Sequence, residues 1–268
     1  MAKQIGLHQI KGRVGDHAYY RQTGVRNGLI RSINQGLADR VKNGAEYANT
    51  RLNMAEFGQA CRVAGVYGKL VVPKWRPMFL AFSQSILSKK IVALVKQGTG
   101  NWGERSVAPA SLPLVAGYLG EMSKLPFSDL CTIDVEGTTV TAGTGNQIMV
   151  SVPTTLSADN VANFQAFGAD GLDIKVLANG IEIGSYSATA KDYAPSAILA
   201  QVSAVDGGSA AGSFDFNLNL ARPTSTDGTA ALVVVVIAMP YRTINSVKHI
   251  LQEQCRFTAF DVTAKMPA

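Results

Sequence analysis

Charge is scarce in this chain of 268 residues. Asp, Glu, Lys and Arg together make up 16%, against about 25% in ordinary soluble domains. A chain so poor in charge has little with which to cover a large free surface, which favours burial against copies of itself or partners. Aromatic residues are 7% and histidines number three. Cysteines also number three. Cys61, Cys131 and Cys255 are widely spaced with no C-x-x-C pair, which excludes the common zinc and dithiol patterns. They read as buried, reduced and inert thiols in a reducing compartment. Long hydrophobic runs are absent too. The longest, Ala230 to Met239, falls well short of the ~20 residues a membrane helix needs and reads as a buried strand. The N-terminus lacks the basic-then-apolar layout of a signal peptide. No membrane contact is expected.

Catalytic signatures are equally sparse. His8, His17 and His249 stand in no H-E-x-x-H or paired Cys/His spacing, and no G-x-S-x-G occurs. Asp170, Asp173 and Asp192 lack the spacing of a calcium loop. Asp134 and Glu136 lie two apart on an expected strand, so they share its wet face and read as solvated carboxylates. The Gly98–Gly103 cluster lacks the Gly-Lys-Ser/Thr ending of a phosphate loop. No enzyme, metal or cofactor is expected.

What the chain does have is a marked division of charge. Residues 1–105 hold 17 Lys and Arg against 5 Asp and Glu, a net of +12, while residues 106–268 hold 8 against 14, a net of −6. The basic extreme is the Gly-rich start, with Lys11, Arg13, Arg21, Arg26, Arg31, Arg40 and Lys42 as candidate partner- or nucleic-acid-binding residues. Each interior glycine costs a helix about 1 kcal/mol, so residues 1–49 read as an extended basic arm. Strand-like pieces are expected at Asp16–Arg21 and Gly28–Ile33. Such an arm either neutralises phosphates, with Tyr19 and Tyr20 available to stack, or lies on acidic faces of neighbouring subunits. An arm this rich in glycine and like charges is expected to order only on a neighbour.

Residues 50–129 read as a helical hairpin and connector. Asn53 and Glu56 have the spacing of a capping box. Met54, Phe57, Cys61, Ala64, Gly68 and Val71 then recur on one helical face, and Pro73 ends the helix. A second helix begins at Pro77 and runs to Lys96. A Gly- and Pro-rich connector follows, anchored by Trp102, with a short helix near Leu114–Ser123. Residues 130–268 read as an antiparallel β-sandwich of short alternating strands. Ile148/Val150/Val152 and Phe214/Phe216/Leu218/Leu220 are the clearest of these. Asn179-Gly180 has the chemistry of a two-residue hairpin turn, and a short helix is expected near Asn245–Gln254. The expected class is α+β.

Lys11-Gly-Arg-Val-Gly15, Tyr19-Tyr20, Arg31-Ser32 and the helix opened by Thr50 with Phe57 resemble an uncharacterised family common in Bacteroidota and their phages. Its members share a Gly-rich G-K-V-G segment, an extended Arg-Ser segment, a Thr-initiated helix and a β-rich C-terminal part. The resemblance covers about the first 75 residues and implies a phage or prophage setting. The leading expectation is a non-enzymatic virion component (capsid, neck or tail) that associates with copies of itself and other virion proteins. It would pass through the host cytoplasm before assembly. The alternatives are a sequence-independent nucleic-acid-binding protein and a surface- or carbohydrate-binding decoration module, for which Tyr186, Tyr193 and Tyr241 are the available aromatics.

Overall fold

The structure is a computed structural model. It describes residues 2–4, 12–15, 17–20, 28–32, 36–75, 84–122, 126–184, 186–187, 192–193, 197–206, 208–224 and 228–267. The fold is α+β, and the chain divides into two compact units, residues 1–54 and 55–268.

The first unit corrects the expectation of an extended arm. β1 (Ala2–Gln4), β2 (Gly12–Val14), β3 (His17–Tyr20) and β4 (Gly28–Ser32) form an antiparallel sheet in the order β1-β4-β3-β2. The two strand-like pieces are β3 and β4, and they pair with each other, Tyr19 opposite Ile30. Glycine makes this local sheet accessible where the chain must reverse. Gly15, between β2 and β3, has φ 55°, a conformation that costs a side-chain-bearing residue far more. Paired strands satisfy their own backbone groups, which an extended arm cannot do. A short helix, α1 (Leu37–Asn43), follows.

Helix α2 (Ala48–Trp75) begins five residues before Asn53 and runs past Pro73. Asn53 is therefore interior and not a cap, and Pro73 lies in the last turn instead of ending the helix. The expected apolar face is also rotated. Met54 and Phe57 are about half exposed, while Glu56, Gln59, Ala60, Val63, Ala64 and Tyr67 are buried. That stripe admits Glu56 because a cation meets it there. α3 (Gln84–Lys96) buries Leu87, Ile91, Leu94 and Val95; the expected start of this helix at Pro77 lies outside the described residues. α4 (Leu112–Gly120) stands where the short connector helix was expected, with Leu112, Val115, Ala116 and Leu119 buried.

The rest is β. One sheet holds β5 (Thr132–Ile133), β6 (Thr139–Ala142), β7 (Gln147–Leu156) and β12 (Gly212–Ala221). β12 pairs with one edge of β7, while β5 and β6 pair at separate points on the other. The second sheet runs β11 (Ala197–Asp206), β8 (Gly171–Gly184), β13 (Gly228–Ile244), with β14 (Val247–Ile250) and β15 (Arg256–Asp261) both on the far side of β13. β9 (Tyr186–Ser187) and β10 (Asp192–Tyr193) form a separate small ladder. A nine-residue helix that sequence patterning missed, α5 (Ala158–Ala166), links β7 to β8 and is opened by a Ser157–Asn160 capping box.

Most of α2, together with α3, α4 and the sheets after residue 130, belongs to the second unit, so the boundary expected near residue 130 does not separate domains. Leu232, Val234 and Val236 of β13 face the β7–β12 sheet, together with Val150, Val152, Phe216 and Leu218. Val233, Val235 and Ile237 face the other way, onto Tyr67, Ile91 and Val115 of the helices. The five-stranded sheet is thus the middle of three layers, which explains a run of four valines with no polar alternation.

Two local expectations fail for physical reasons. Asn179-Gly180 is no turn. β8 runs straight through it, with Asn179 opposite both Ala200 and Val233. Asn179 is buried, and its Nδ2 donates to the carbonyls of Leu177 and Val233 at 3.3 and 3.5 Å. The segment Asn245–Gln254 is helical only in a single 3-10 turn at Gln252–Gln254. Asn245 and Ser246 take φ 51° and 62° and form the two-residue turn between β13 and β14.

Candidate functional site

The residues picked out as a basic surface are only partly brought together. Arg13 in β2 is exposed, and its Nε donates to the Gly15 carbonyl at 3.3 Å. Arg31 lies in β4 opposite Ala18. On α1, Arg40 pairs with Glu46 at 3.3 Å and lies 5.8 Å from the Tyr47 ring centroid. Lys42 is exposed. Lys11, Arg21 and Arg26 lie outside the described residues. Arg51, in α2, donates through Nη1 to the carbonyls of Val41 and Gly44 at 2.9 and 2.7 Å. It satisfies the end of α1, a use that a basic residue shortly after a helix C-terminus signals. Tyr19 is half-buried in β3.

Among the described residues, the one buried ion pair was missed because its partners are far apart in sequence. Glu56 is 2% exposed. Its Oε1 accepts from Arg105 Nε at 2.7 Å and from the Gly103 amide at 2.9 Å, and its Oε2 accepts from Arg105 Nη2 at 3.0 Å. Burial pushes this carboxyl up, but the bonds from Arg105 and Gly103 outweigh that and hold it below its ordinary value. Arg105 also donates to the Lys96 carbonyl at 3.1 Å. The Gly98–Gly103 cluster is therefore a loop tied onto α2. Trp102 in it is 43% exposed, so it is not the buried anchor expected.

Of the carboxylates weighed as chemistry, Asp134, Asp170 and Asp173 make local structural contacts. Asp134 lies in a turn, not on a strand face with Glu136, and accepts from the Gly137 amide at 2.7 Å. Lys265 closes the same turn, donating to the carbonyls of Val135, Glu136 and Thr138, each at 2.8 Å. Asp170 accepts from the Thr243 amide and Asp173 pairs with Lys248 at 3.0 Å. Among the described residues, no group of three His, Cys, Asp or Glu is placed to hold a metal. Of the candidate aromatics, Tyr241 is buried, with Lys248 Nζ 4.1 Å from its centroid, and Tyr186 and Tyr193 are paired across β9 and β10.

Burial pushes the thiols of Cys131 and Cys255 up to about 12. The thiolate is the reactive form, so at pH 7.5 neither is expected to react with a thiol reagent until the protein unfolds. Cys61 is half-buried and should react first. Titration of native and denatured protein checks this; two fast thiols in the native state would contradict it.

The outer face of the β7–β12 sheet is a continuous surface. Ser151 lies between Asn217 and Thr139, and Met149 between Asn219 and Thr141. Asp215, opposite Pro153, is the only charged residue of β5, β6, β7 and β12. No helix of the described residues is long and apolar enough to cross a membrane.

No family model and no curated protein matches the chain. A crystal structure of a protein from Archaeoglobus fulgidus is similar over 49% of this chain and 95% of its own, at 11% identity and a TM-score of 0.20. That likeness carries no argument about fold or function.

Proposed function

We propose that the chain is a non-enzymatic structural component of a bacteriophage virion, in capsid, neck or tail, which assembles with copies of itself and with other virion proteins. The observation that carries the assembly reading is the outer face of the β7–β12 sheet, with Asp215 as its single charge. Depletion of charge is what distinguishes the core of an interface from free surface. The phage setting rests on the resemblance of the first 75 or so residues. Sedimentation velocity and electron microscopy of the purified chain test the reading. Discrete multimers are expected, and a soluble monomer at every concentration would overturn it.

A second reading, sequence-independent nucleic-acid binding, is favoured by the net +12 of residues 1–105 and by the exposure of Arg13 and Lys42. Binding of this kind weakens steeply with salt, because each phosphate neutralised releases counterions. Replacing Arg13, Arg21, Arg26 and Arg31 by Ala is then expected to weaken DNA binding and flatten the salt slope. A salt-insensitive affinity would dismiss it.

A further inference from the structure

The two edges of the β7–β12 sheet are built differently. On one side β7 meets β5 and β6, strands of two and four residues. On the other, β12 presents ten residues that, among the described residues, pair with β7 alone. Natural sheets blunt such an edge with charged side chains, above all Lys, or with Pro, a bulge or brevity, and the only charge on β12 is Asp215. β12 has no Lys or Pro, and its register with β7 is unbroken from Gly212 to Ala221.

The direction of the unpaired groups follows from the backbone hydrogen bonds of β7. Pro153 accepts from the Asp134 amide and Gln147 from the Gly143 amide, so the odd residues of β7 bond away from β12. Arg222 donates to Asn146, so the even residues bond toward it. In an antiparallel pair, opposite residues either both bond each other or both do not. Ser213, Asp215, Asn217, Asn219 and Ala221 therefore aim their amides and carbonyls at the open edge. Among the described residues no strand pairs with them there.

We infer that this edge joins the same edge of a second copy, antiparallel about Asn217. The register is self-complementary. It sets Phe214 opposite Leu220 and Phe216 opposite Leu218 on the core face. On the outer face Asp215 meets Asn219 and not its own copy, and Asn217 meets Asn217. A shift of the centre to Phe216 would leave Leu220 opposite Gly212. A pair of identical edges closes under a two-fold axis, so the contact ends at a dimer. Ten ladder hydrogen bonds result, two for each of the five edge residues.

This deepens the assembly reading and rests on it. Asn217 is exposed, so substitution there leaves the fold of one copy intact, which circular dichroism checks. In the paired register two copies of residue 217 have Cα atoms about 5.5 Å apart, within disulfide reach. In a Cys61→Ser background, full-length Asn217→Cys should form a cross-linked dimer under a mild thiol oxidant, while Asn219→Cys should not. Asn217→Lys sets two ammonium groups face to face and should weaken dimerisation at least tenfold by sedimentation. If the chain self-associates but Asn217→Lys changes nothing, or Asn219→Cys cross-links as well as Asn217→Cys, the edge pairing is wrong and the assembly reading stands. If the unmodified chain is monomeric at every concentration, both fall.

Discussion

Changing Arg105 to methionine is expected to destabilise the protein by about 3 kcal/mol or more, measured by urea unfolding. The change strands Glu56, 2% exposed, as an unpaired buried carboxylate, and breaking one side of a buried pair is costlier than removing both. The double variant Glu56→Met with Arg105→Met should therefore recover most of the loss. The pH dependence supplies an independent sign. In the native chain the Glu56 carboxyl is held below its usual 4.5. Its contribution is full above that value and is lost as pH falls through the lowered folded value. In Arg105→Met burial, the Gly103 bond and the charge of Lys96 remain, and burial, the largest of them, raises the carboxyl. The variant should then gain stability relative to the native chain as pH drops toward 4. A variant with unchanged stability and pH slope would show that the loop 98–105 is not held to α2 through this pair.

Val235→Asp is expected to abolish folding. Val235 is fully buried on the side of β13 that faces the helices, and an unpaired charge there costs several kcal/mol out of a typical total of about 5–15. Its neighbour Val234 faces the other sheet, so Val234→Asp would be lethal in a bare sandwich as well. Only Val235 distinguishes a sheet covered by helices from one with a wet outer face. Val247→Asp is the control. Val247 is 57% exposed beside the Asn245–Ser246 turn, and its substitution should move stability by no more than about 0.5 kcal/mol. Circular dichroism and solubility of the three variants decide between the arrangements.

The strands with one wet face were legible. Phe214, Phe216, Leu218 and Leu220 alternate with polar residues because β12 has core on one side only. Valine at every position from 233 to 236 announced a strand buried on both sides, but it could not say that α2, α3 and α4 cover the second side. Asn179-Gly180 misled because local turn chemistry competes with pairing to strands on both sides, and here the ladder wins. Glu56 misled in a similar way. Its spacing from Asn53 fits a cap, yet the carboxylate is satisfied by Arg105, 49 residues away. Local windows cannot see partners at that distance. The basic residues before position 50 were visible as charge, but their division between paired Arg40 and exposed Arg13 and Lys42 depends on where Glu46 falls.

The middle position of the five-stranded sheet has a consequence for synthesis. The apolar stripes of α2, α3 and α4 emerge from the ribosome before β13, the strand whose Val233, Val235 and Ile237 cover them. At ~5–20 residues per second, the interval is on the order of ten seconds. During it the nascent helices can bury their stripes only against one another and against Leu177 and Ile181 of β8, which itself arrives before both of its partners, β11 and β13. Chains truncated before Gly228 should therefore be retained by chaperones and degraded, and slowing translation upstream of β13 should lower the yield of native protein.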